Sequence, residues 1–364
     1  MPRSRTSVSL PPCYAMVHPG LEEIAAEEIT HDLGGEVRRT ARGLVVFRVP
    51  EIDDRLLRLR TVEDVFLFAW GTDQLSYRAE DLDRIERWTA REPSWDHLLR
   101  LHHALRPKPK GKPTYRLVAQ MEGKHGYLRR DARKALARGL AGKIPASWKF
   151  AEEDAAIEIW LTIDQATAVC GVRLSDKTMR HRTYKLEHRP ASLRPTIAAA
   201  MVRLAGARPP QVVLDPMCGA GTILAEQLAV GWDRERGQVR VWGGDLELAA
   251  VRAAAINLRK LGQPQLACWD ARRLPLASAT VDGIISNPPF GKQLSNAAVI
   301  GPLYRHMVRE YDRVLRPGGL AVFLVSEPAV LREAAQAIPW QPVRRVSLRV
   351  LGQPAAISVW RKPS

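Results

Sequence analysis

The sequence has little of what holds metal ions, forms disulfides or crosses membranes. Its four cysteines lie far apart, with no Cys-x-x-Cys pair and no paired histidines, which argues against a structural zinc site and a disulfide framework. No stretch approaches the ~20 apolar residues that a spanning helix needs. Residues 1–9 are polar and basic, unlike a secretory signal. We therefore expect a cytoplasmic monomer that binds neither metal nor membrane.

Acidic residues are also scarce relative to basic ones. The chain has 39 Asp and Glu against 55 Lys and Arg, which gives a formal net charge of +16. Such an excess suits a polyanionic partner, and nucleic acid is the first candidate. With 364 residues, 46% of them hydrophobic, the chain can form two or three domains with substantial cores.

The first 72 residues alternate between strand and helix patterns in the order β-α-β-β-α-β, which is the ferredoxin-like arrangement. The predicted strands and helices are residues 13–17, 21–33, 37–39, 44–49, 51–59 and 62–69. Residues 73–172 read as helices, a strand at 114–121, a helix at 127–140 and a hairpin of 155–163 with 166–172. We assign domains to 1–72 and 73–172, a basic linker to 173–190 and a last domain to 191–364.

Three basic segments are candidate contacts for nucleic acid, although each could simply be a solvated surface. The first is a proline-rich loop, the second is the polar face of helix 127–140, and the third is the linker, where residues 173–194 hold seven basic and two acidic residues. The candidate residues are Lys108, Lys110 and Lys112; Arg129, Arg130, Arg133 and Lys134; and Arg180, Arg182 and Lys185.

The C-terminal half predicts a doubly wound α/β sheet. Five apolar strands, at 211–215, 239–245, 266–270, 281–287 and 320–326, alternate with helices, and residues 343–350 and 355–360 form a closing hairpin. Ligands bind at the carboxyl ends of such strands, where three acids stand. These are Asp215, Asp245 and Asp270.

The turn after the first of these strands suits a nucleoside. Gly219 and Gly221 follow Asp215 and let the backbone approach a ligand closely. The full dinucleotide fingerprint is missing because Leu224 replaces its last glycine, and no P-loop lysine follows. Asp245 is placed to accept from ribose hydroxyls and Asp270 from an adenine amine, although each acid could instead cap a helix or lie on the surface.

The stretch Asn287-Pro288-Pro289-Phe290 follows an apolar strand and predicts a seat for a planar ring with an exocyclic amine. Its prolines stiffen the loop and remove two backbone donors. The Asn287 side-chain oxygen and the Pro288 carbonyl can then accept from one amino group, while Phe290 stacks on the ring. An ordinary tight loop is the alternative.

Taken together, these residues resemble the class I S-adenosylmethionine-dependent methyltransferases, over residues 186–362. The resemblance implies S-adenosylmethionine as cofactor and a Rossmann-like domain, with Asn287, Pro288 and Phe290 as the amino-methylating residues. The implied cofactor-binding residues are Asp215, Gly219, Gly221, Thr222, Asp245, Leu246, Asp270, Ala271, Asn287 and, in the segment before the first strand, Ser192, Leu193 and Thr196.

The N-terminal half, with the stretch YRLVAQMEGKHGYLRRDARKALARGL at residues 115–140, resembles the THUMP module, which engages the acceptor end of tRNA. The linker RTYKLEHRPASLRPT at residues 182–196 and the whole layout resemble the tRNA guanine-N2 methyltransferases that act at position 6 of the acceptor stem. The motif itself accepts guanine N2 or adenine N6, and relatives act at other tRNA or ribosomal RNA positions. Adenine-N6 methylation and a non-catalytic RNA-binding protein therefore stay open as alternatives.

Overall fold

The computed structural model describes residues 12–91, 93–106, 111–190, 192–209, 211–230, 232–233, 237–290 and 297–364. The chain divides into two compact units. The first contains Met1–Val17 and Ala26–Met179, and the second contains His18–Ala25 and Arg180–Ser364. Among the described residues, no helix combines the length and the apolar character needed to cross a bilayer.

Up to Arg173, short helices alternate with the strands of one sheet. The elements are β1 (Cys13–Val17), α1 (Glu22–Leu33), β2 (Glu36–Ala41), β3 (Leu44–Arg48), a 3₁₀ helix (Asp54–Arg58), β4 (Val62–Thr72), α2 (Glu80–Arg91), α3 (Trp95–Leu105), β5 (Thr114–Glu122), α4 (Arg129–Gly139), β6 (Lys149–Phe150), β7 (Ile157–Asp164) and β8 (Thr167–Arg173). Within the described ranges the sheet has eight strands, in the order β2-β3-β1-β4-β8-β7-β5-β6.

The first four strands have the ferredoxin-like order that the sequence predicts. The second helix differs, because residues 51–59 form only a 3₁₀ turn at Asp54–Arg58. The Asp53 side chain accepts from the Arg55 backbone N–H at 3.0 Å, so the turn starts late. Leu59 is already extended, which leaves too few residues for an α-helix.

The strands before and after residue 72 belong to the same sheet. β4 pairs antiparallel with β8, and a buried ion cluster reinforces this junction. Arg173 of β8 donates to Asp64 of β4 and to Glu158 of β7, the latter at 2.9 Å. Two regions assigned to separate domains from the sequence therefore share one sheet.

From Lys177 onward the chain alternates helix and strand. The elements are α5 (Lys177–His181), α6 (Pro195–Ala205), β9 (Val212–Asp215), α7 (Thr222–Val230), β10 (Trp232–Asp233), β11 (Gly237–Gln238), β12 (Arg240–Asp245), α8 (Leu248–Leu258), β13 (Gln265–Cys268), β14 (Val281–Ser286), α9 (Ala297–Val314), β15 (Leu315–Val325), α10 (Pro328–Ala335), β16 (Gln341–Val350) and β17 (Gln353–Arg361). The hairpin of β10 and β11 was not predicted, because two-residue strands carry no detectable period.

In the described part of this unit, the main sheet has seven strands in the order β13-β12-β9-β14-β15-β17-β16. The first five run parallel, and β17 lies antiparallel between β15 and β16. The doubly wound sheet with a closing hairpin is therefore present as predicted. Buried residues of α9 pack on the sheet, and α7 and α8 pack with β12, so helices cover the strands and hold their carboxyl ends in place.

Candidate active site

The site lies where the strand order reverses. β9 is flanked by β12 and β14, so the loops after these strands diverge and leave a crevice at their carboxyl ends. A cavity of about 610 Å³ opens there, a size typical of ligand sites. Ten of the predicted site residues line it, namely Ser192, Leu193, Asp215, Gly219, Thr222, Asp245, Leu246, Asp270, Ala271 and Asn287.

Four predicted site residues do not line the cavity. Thr196 is buried within α6. In the loop after β14, Pro288 is buried and Phe290 is half-buried. A Cβ on Gly221 would lie 3.0 Å from the Ala254 Cβ. Gly221 therefore permits close packing against α8 rather than close approach of a ligand.

Gly219 combines an unusual backbone with free space. Its φ of +52° is a conformation that favours glycine, and no atom lies within 4 Å of the place a Cβ would take. Its N–H donates to Asp245 Oδ2 at 3.0 Å, while Asp245 Oδ1 accepts from the Glu247 N–H at 3.0 Å. The glycine turn is thus tied to the end of β12, which positions Asp245 at the cavity.

Trp269, which the sequence analysis did not single out, follows β13 and connects its end to the ends of β9 and β12. A Cβ on Gly244 would lie 2.3 Å from Trp269 Cε2, so only glycine lets the indole cover the end of β12. Trp269 Nε1 donates to the Pro216 carbonyl at 3.1 Å, and its backbone N–H donates to the Asp245 carbonyl. No motif signals this role, because it depends on contacts between distant loops.

Asp215 is a buried carboxyl group at the base of the turn. It is 1% exposed, and burial raises its pKa well above the ordinary value, to which the nearby Asp245 charge adds. The Met217 N–H donates to Asp215 Oδ1 at 3.3 Å and opposes this rise. The bond from the Met217 N–H to Asp215 therefore stabilises the glycine turn.

Asp270 already has a charged partner at the cavity wall. Arg272 donates from Nε to Oδ1 at 3.0 Å and from Nη2 to Oδ2 at 2.6 Å. These bonds lower the pKa of the Asp270 carboxyl. The acid therefore stays ionised and can accept from an amine, while Arg272 fixes its orientation.

Asn287 supplies an acceptor without a partner. Its Oδ1 is buried, and no described atom donates to it, although the residue lines the cavity. Buried polar atoms in folded proteins nearly always have a hydrogen-bond partner. A ligand that carries an N–H group would provide the missing one.

Other lining residues escaped the sequence analysis. They come mainly from the glycine turn, from the segment before α6 and from α9, and they are Arg189, Pro190, Pro216, Met217, Cys218, Ala220, Ile223, Glu247, Ala250, Arg272, Pro289, Pro302, Leu303 and His306. The lining residues of the glycine turn lie next to predicted site residues in the sequence, so their proximity would have identified them. The α9 residues lie beyond any motif and reach the cavity only through the fold.

The candidate nucleic-acid contacts fall into different environments. Lys112, Arg129, Arg130, Arg133 and Lys134 are exposed, whereas Lys108 and Lys110 lie outside the described residues. Arg180 is half-buried on α5, and Lys185 donates to the Leu193 carbonyl at 2.9 Å.

Arg182 corrects the sequence analysis. Its side chain is only 7% exposed, and its Nε donates to the fully buried Glu226 at 3.1 Å. Tyr184 donates its hydroxyl to the same carboxylate at 2.7 Å. A guanidinium enclosed in this way stabilises the fold and cannot reach a phosphate.

Comparison with known proteins identifies the family. The RMKL-like methyltransferase domain model matches residues 182–352. The tRNA (guanine(6)-N2)-methyltransferase of Thermus thermophilus is 30% identical over 327 residues, which cover 88% of this chain and 90% of that protein. The chain belongs to the family of tRNA guanine-N2 methyltransferases. A second relative, the mouse U6 snRNA (guanine-N(2))-methyltransferase THUMPD2, is 37% identical over 192 residues, and the match covers 34% of its length.

Solved structures agree with this assignment. The crystal structure of TrmN from Thermus thermophilus matches the methyltransferase with a TM-score of 0.76 and 27% identity, over 96% of this chain and 99% of that one. SMU.472, a putative methyltransferase complexed with SAH, shares the fold at a TM-score of 0.73 and 15% identity, over 98% and 99% of the two chains. The methyltransferase therefore has the class I fold.

S-adenosylmethionine is the methyl donor of this family, and the cavity fits it. Gly219 leaves free space beside the glycine turn. The carboxylates of Asp245 and Asp270 both line the cavity; Asp245 is held there by the Gly219 N–H, and the pKa of Asp270 is lowered by Arg272. The cavity volume also suits a ligand of that size.

Proposed function

We propose that this methyltransferase methylates the exocyclic N2 amine of a guanosine in tRNA, at position 6 of the acceptor stem, to form N2-methylguanosine. The observation that carries the proposal is the Asn287 oxygen, a buried acceptor beside the cofactor cavity to which no described atom donates. The name of the Thermus relative supports the base, the atom and the position.

The chain's own residues act mainly by positioning. S-adenosylmethionine supplies an electrophilic methyl group. The guanine amine is a weak nucleophile because its lone pair is delocalised into the ring. Asn287 Oδ1 and the Pro288 carbonyl accept its two N–H bonds and turn the lone pair towards the methyl group. Phe290 offers a stacking face for the base once it has left its helix. The amine becomes acidic as it is methylated, so water can take the proton.

We assign RNA binding to residues 73–172, as a THUMP module, together with the linker 173–190. The chain's net charge of +16 supports a polyanionic partner. We further propose that the protein acts as a monomer in the cytoplasm. The four cysteines are free thiols in the structure, as is common in a reducing compartment.

Nucleoside analysis tests the reaction. The protein is incubated with an unmodified tRNA transcript and labelled S-adenosylmethionine, the RNA is digested, and the labelled nucleoside is identified. We expect N2-methylguanosine, and substitution of the guanosine at position 6 should remove the label. N6-methyladenosine as product would refute the proposal, whereas N2-methylguanosine at another position would refute only the assigned position.

A second candidate substrate is a small nuclear RNA. The 37% identity to the U6 snRNA enzyme over 192 residues favours it. The same assay with a U6 snRNA transcript compares the two substrates directly. A higher kcat/KM on that transcript than on tRNA would replace the tRNA assignment.

A further inference from the structure

A second cavity lies in the first unit, between β5 and the start of α4. It has a volume of about 240 Å³ and is lined by Arg116 and the next three residues of β5, and by Arg129, Arg130 and Arg133 of α4. Four arginines therefore line a small space, with no acidic residue among the described residues that line it. Such a site selects an anion, and guanidinium matches the oxygens of a phosphate.

The four arginines keep donors for a ligand. Arg116 is paired with Glu158 at 3.7 Å, Arg130 with Asp131 at 3.8 Å and Arg133 with Glu152 at 3.6 Å. All three distances exceed those of a good hydrogen bond. Arg129 has no acidic group within 4 Å in the part of the chain that the structure describes. The pairs of Arg130 and Arg133 lie at the surface, where ion pairs are weak and easily exchanged for a phosphate contact.

The strand beneath the arginines has an open edge. β6 pairs with β5 only at Thr114 and Tyr115, so in the described structure no strand covers that edge from Arg116 onward. Every second residue of an edge strand presents a backbone N–H outward. At the start of α4, the Asp131 carboxylate already accepts from the Leu128 N–H at 3.0 Å. The outward N–H groups of β5 are therefore the backbone donors that the site offers an anion.

An aromatic pair in the same region favours RNA over an acidic peptide. Tyr77 and His125 stack with ring centroids 5.0 Å apart and an interplanar angle of 25°. Tyr77 is 37% exposed, and the N–H of Gly126 donates to its carbonyl at 2.7 Å, which holds the loop between β5 and α4 against it. An exposed ring held against the loop between β5 and α4 offers a face on which an unpaired base can stack.

We propose that the arginine cavity binds a backbone phosphate of the RNA substrate, and that the Tyr77–His125 pair stacks a base of the same RNA. This inference rests on the proposed function for the identity of the RNA. It also distinguishes among the basic residues of α4. Lys134 is on the same helix and exposed, but it does not line the cavity.

Binding of an unmodified tRNA transcript to the full chain tests the site, by fluorescence anisotropy over a salt series. We expect R129A/R133A to raise Kd at least ~10-fold and to reduce the slope of log K against log[salt] by about 0.7–0.9, since the cavity contacts one phosphate and each phosphate contact contributes ~0.7–0.9. The matched control K134A should change Kd less than about twofold. Equal losses for K134A and R129A, or no loss for the double variant, would overturn the proposal.

Further measurements identify the ligand. Y77A should weaken tRNA binding several-fold and Y77F should not, because a phenyl ring still stacks; equal effects would refute the stacking role. Inorganic phosphate should compete only weakly, and tight phosphate binding that R129A/R133A abolishes would mean a free anion instead. Arginine-dependent binding of a poly-glutamate peptide as tight as that of tRNA would reassign the site to a protein partner.

Measurements of tRNA binding and of N2-methylguanosine formation together show whether the phosphate site, the proposed function or both are correct. Wild-type protein that binds tRNA through these arginines but forms no N2-methylguanosine would contradict the function and leave the phosphate site. N2-methylguanosine formation that is insensitive to R129A/R133A in both Kd and KM would contradict the phosphate site and leave the function. S-adenosylhomocysteine affinity should be unchanged in both variants, which checks that the second unit is intact.

Discussion

Asn287 is the residue on which the proposed chemistry depends. Its side-chain oxygen is buried, and none of the described atoms donates to it. The residue also lines the cavity. We therefore propose that an amine of the substrate donates to this oxygen.

Removal of the Asn287 side-chain oxygen should lower the rate of methyl transfer and leave cofactor binding intact. We expect N287A to lower kcat by about 10²–10³-fold, as for loss of one positioned polar group, because the amine loses one of its two acceptors. The Kd of S-adenosylhomocysteine, measured by calorimetry, should change little. N287D keeps an oxygen acceptor and should retain more activity. Unchanged turnover in N287A would refute the amine-seat argument.

Asp215 should give the stability a distinctive pH dependence. Its pKa is raised in the folded protein by burial, so the folded chain holds the proton more tightly than the unfolded chain does. This contribution to stability is fully present below the unfolded pKa and is lost as pH rises through the raised folded pKa.

We expect D215N to remove this dependence, because asparagine is neutral and still accepts from the Met217 N–H. Thermal unfolding of wild type and D215N from pH 4 to 8 checks it, and the Tm advantage of D215N should grow with pH. Asp270 is the opposite control, since its pKa is lowered by Arg272. Its contribution is present above the unfolded pKa and is lost as pH falls through the folded pKa. A Tm difference for D215N that does not vary with pH would show that Asp215 is not buried as described.

At the level of elements, the segment between the two units turns out to be more than a charged linker. Part of it forms α5, and Arg182 turns inward at a φ of +53° to meet Glu226 on α7. The pattern of basic residues could not reveal this, because the partner acid lies 44 residues away in the sequence. In the sequence, a basic residue that pairs with a distant buried acid cannot be distinguished from one that is exposed to solvent.

Loss of the Arg182 side chain should therefore lower the stability of the fold and leave the affinity for RNA unchanged. R182A leaves the buried Glu226 carboxylate short of a countercharge, which typically costs about 3–5 kcal/mol. We expect a clear fall in Tm and in the urea midpoint, while tRNA affinity of the folded fraction is unchanged. The double variant R182M/E226Q should recover part of the stability. A weaker tRNA Kd with normal Tm would restore the RNA-binding interpretation.

At the level of the whole molecule, charge is the property that the two units share in the sequence. The net charge of +16 attracts a polyanion irrespective of sequence, and we propose that the strand-end residues of the second unit select the base. Under this proposal, affinity and specificity reside in different parts of the chain. Phosphate contacts position a nucleic acid, and base contacts identify it.

Salt should separate these two contributions. We expect tRNA affinity to fall by at least ~10²-fold between 50 and 200 mM salt, because several released counterions enter the equilibrium. S-adenosylhomocysteine binding should change little over the same range and serves as the control, with both Kd values measured on one preparation. A salt-independent tRNA Kd would mean that apolar contacts dominate.

Much of the second unit follows from local sequence. Strands buried on both faces appear as short apolar runs, and the acids and Asn287 mark where those runs end. The carboxyl ends of parallel strands meet at one edge of a sheet, so the strand pattern alone is enough to place Asp215, Asp245, Asp270 and Asn287 together. Local chemistry therefore determined the fold class of this unit and the identity of its principal site residues.

Other features were decided only by tertiary structure, because they depend on pairings between distant segments. The pairing of β4 with β8 merged two expected domains into one sheet. Contacts across loops brought Trp269 over Gly244 and the α9 residues to the cavity. Short-range patterns record which face of an element is buried, but not which partner buries it. The sequence by itself thus determined most elements of the second unit and the strand-end positions of its acids and Asn287, and tertiary packing decided their neighbours.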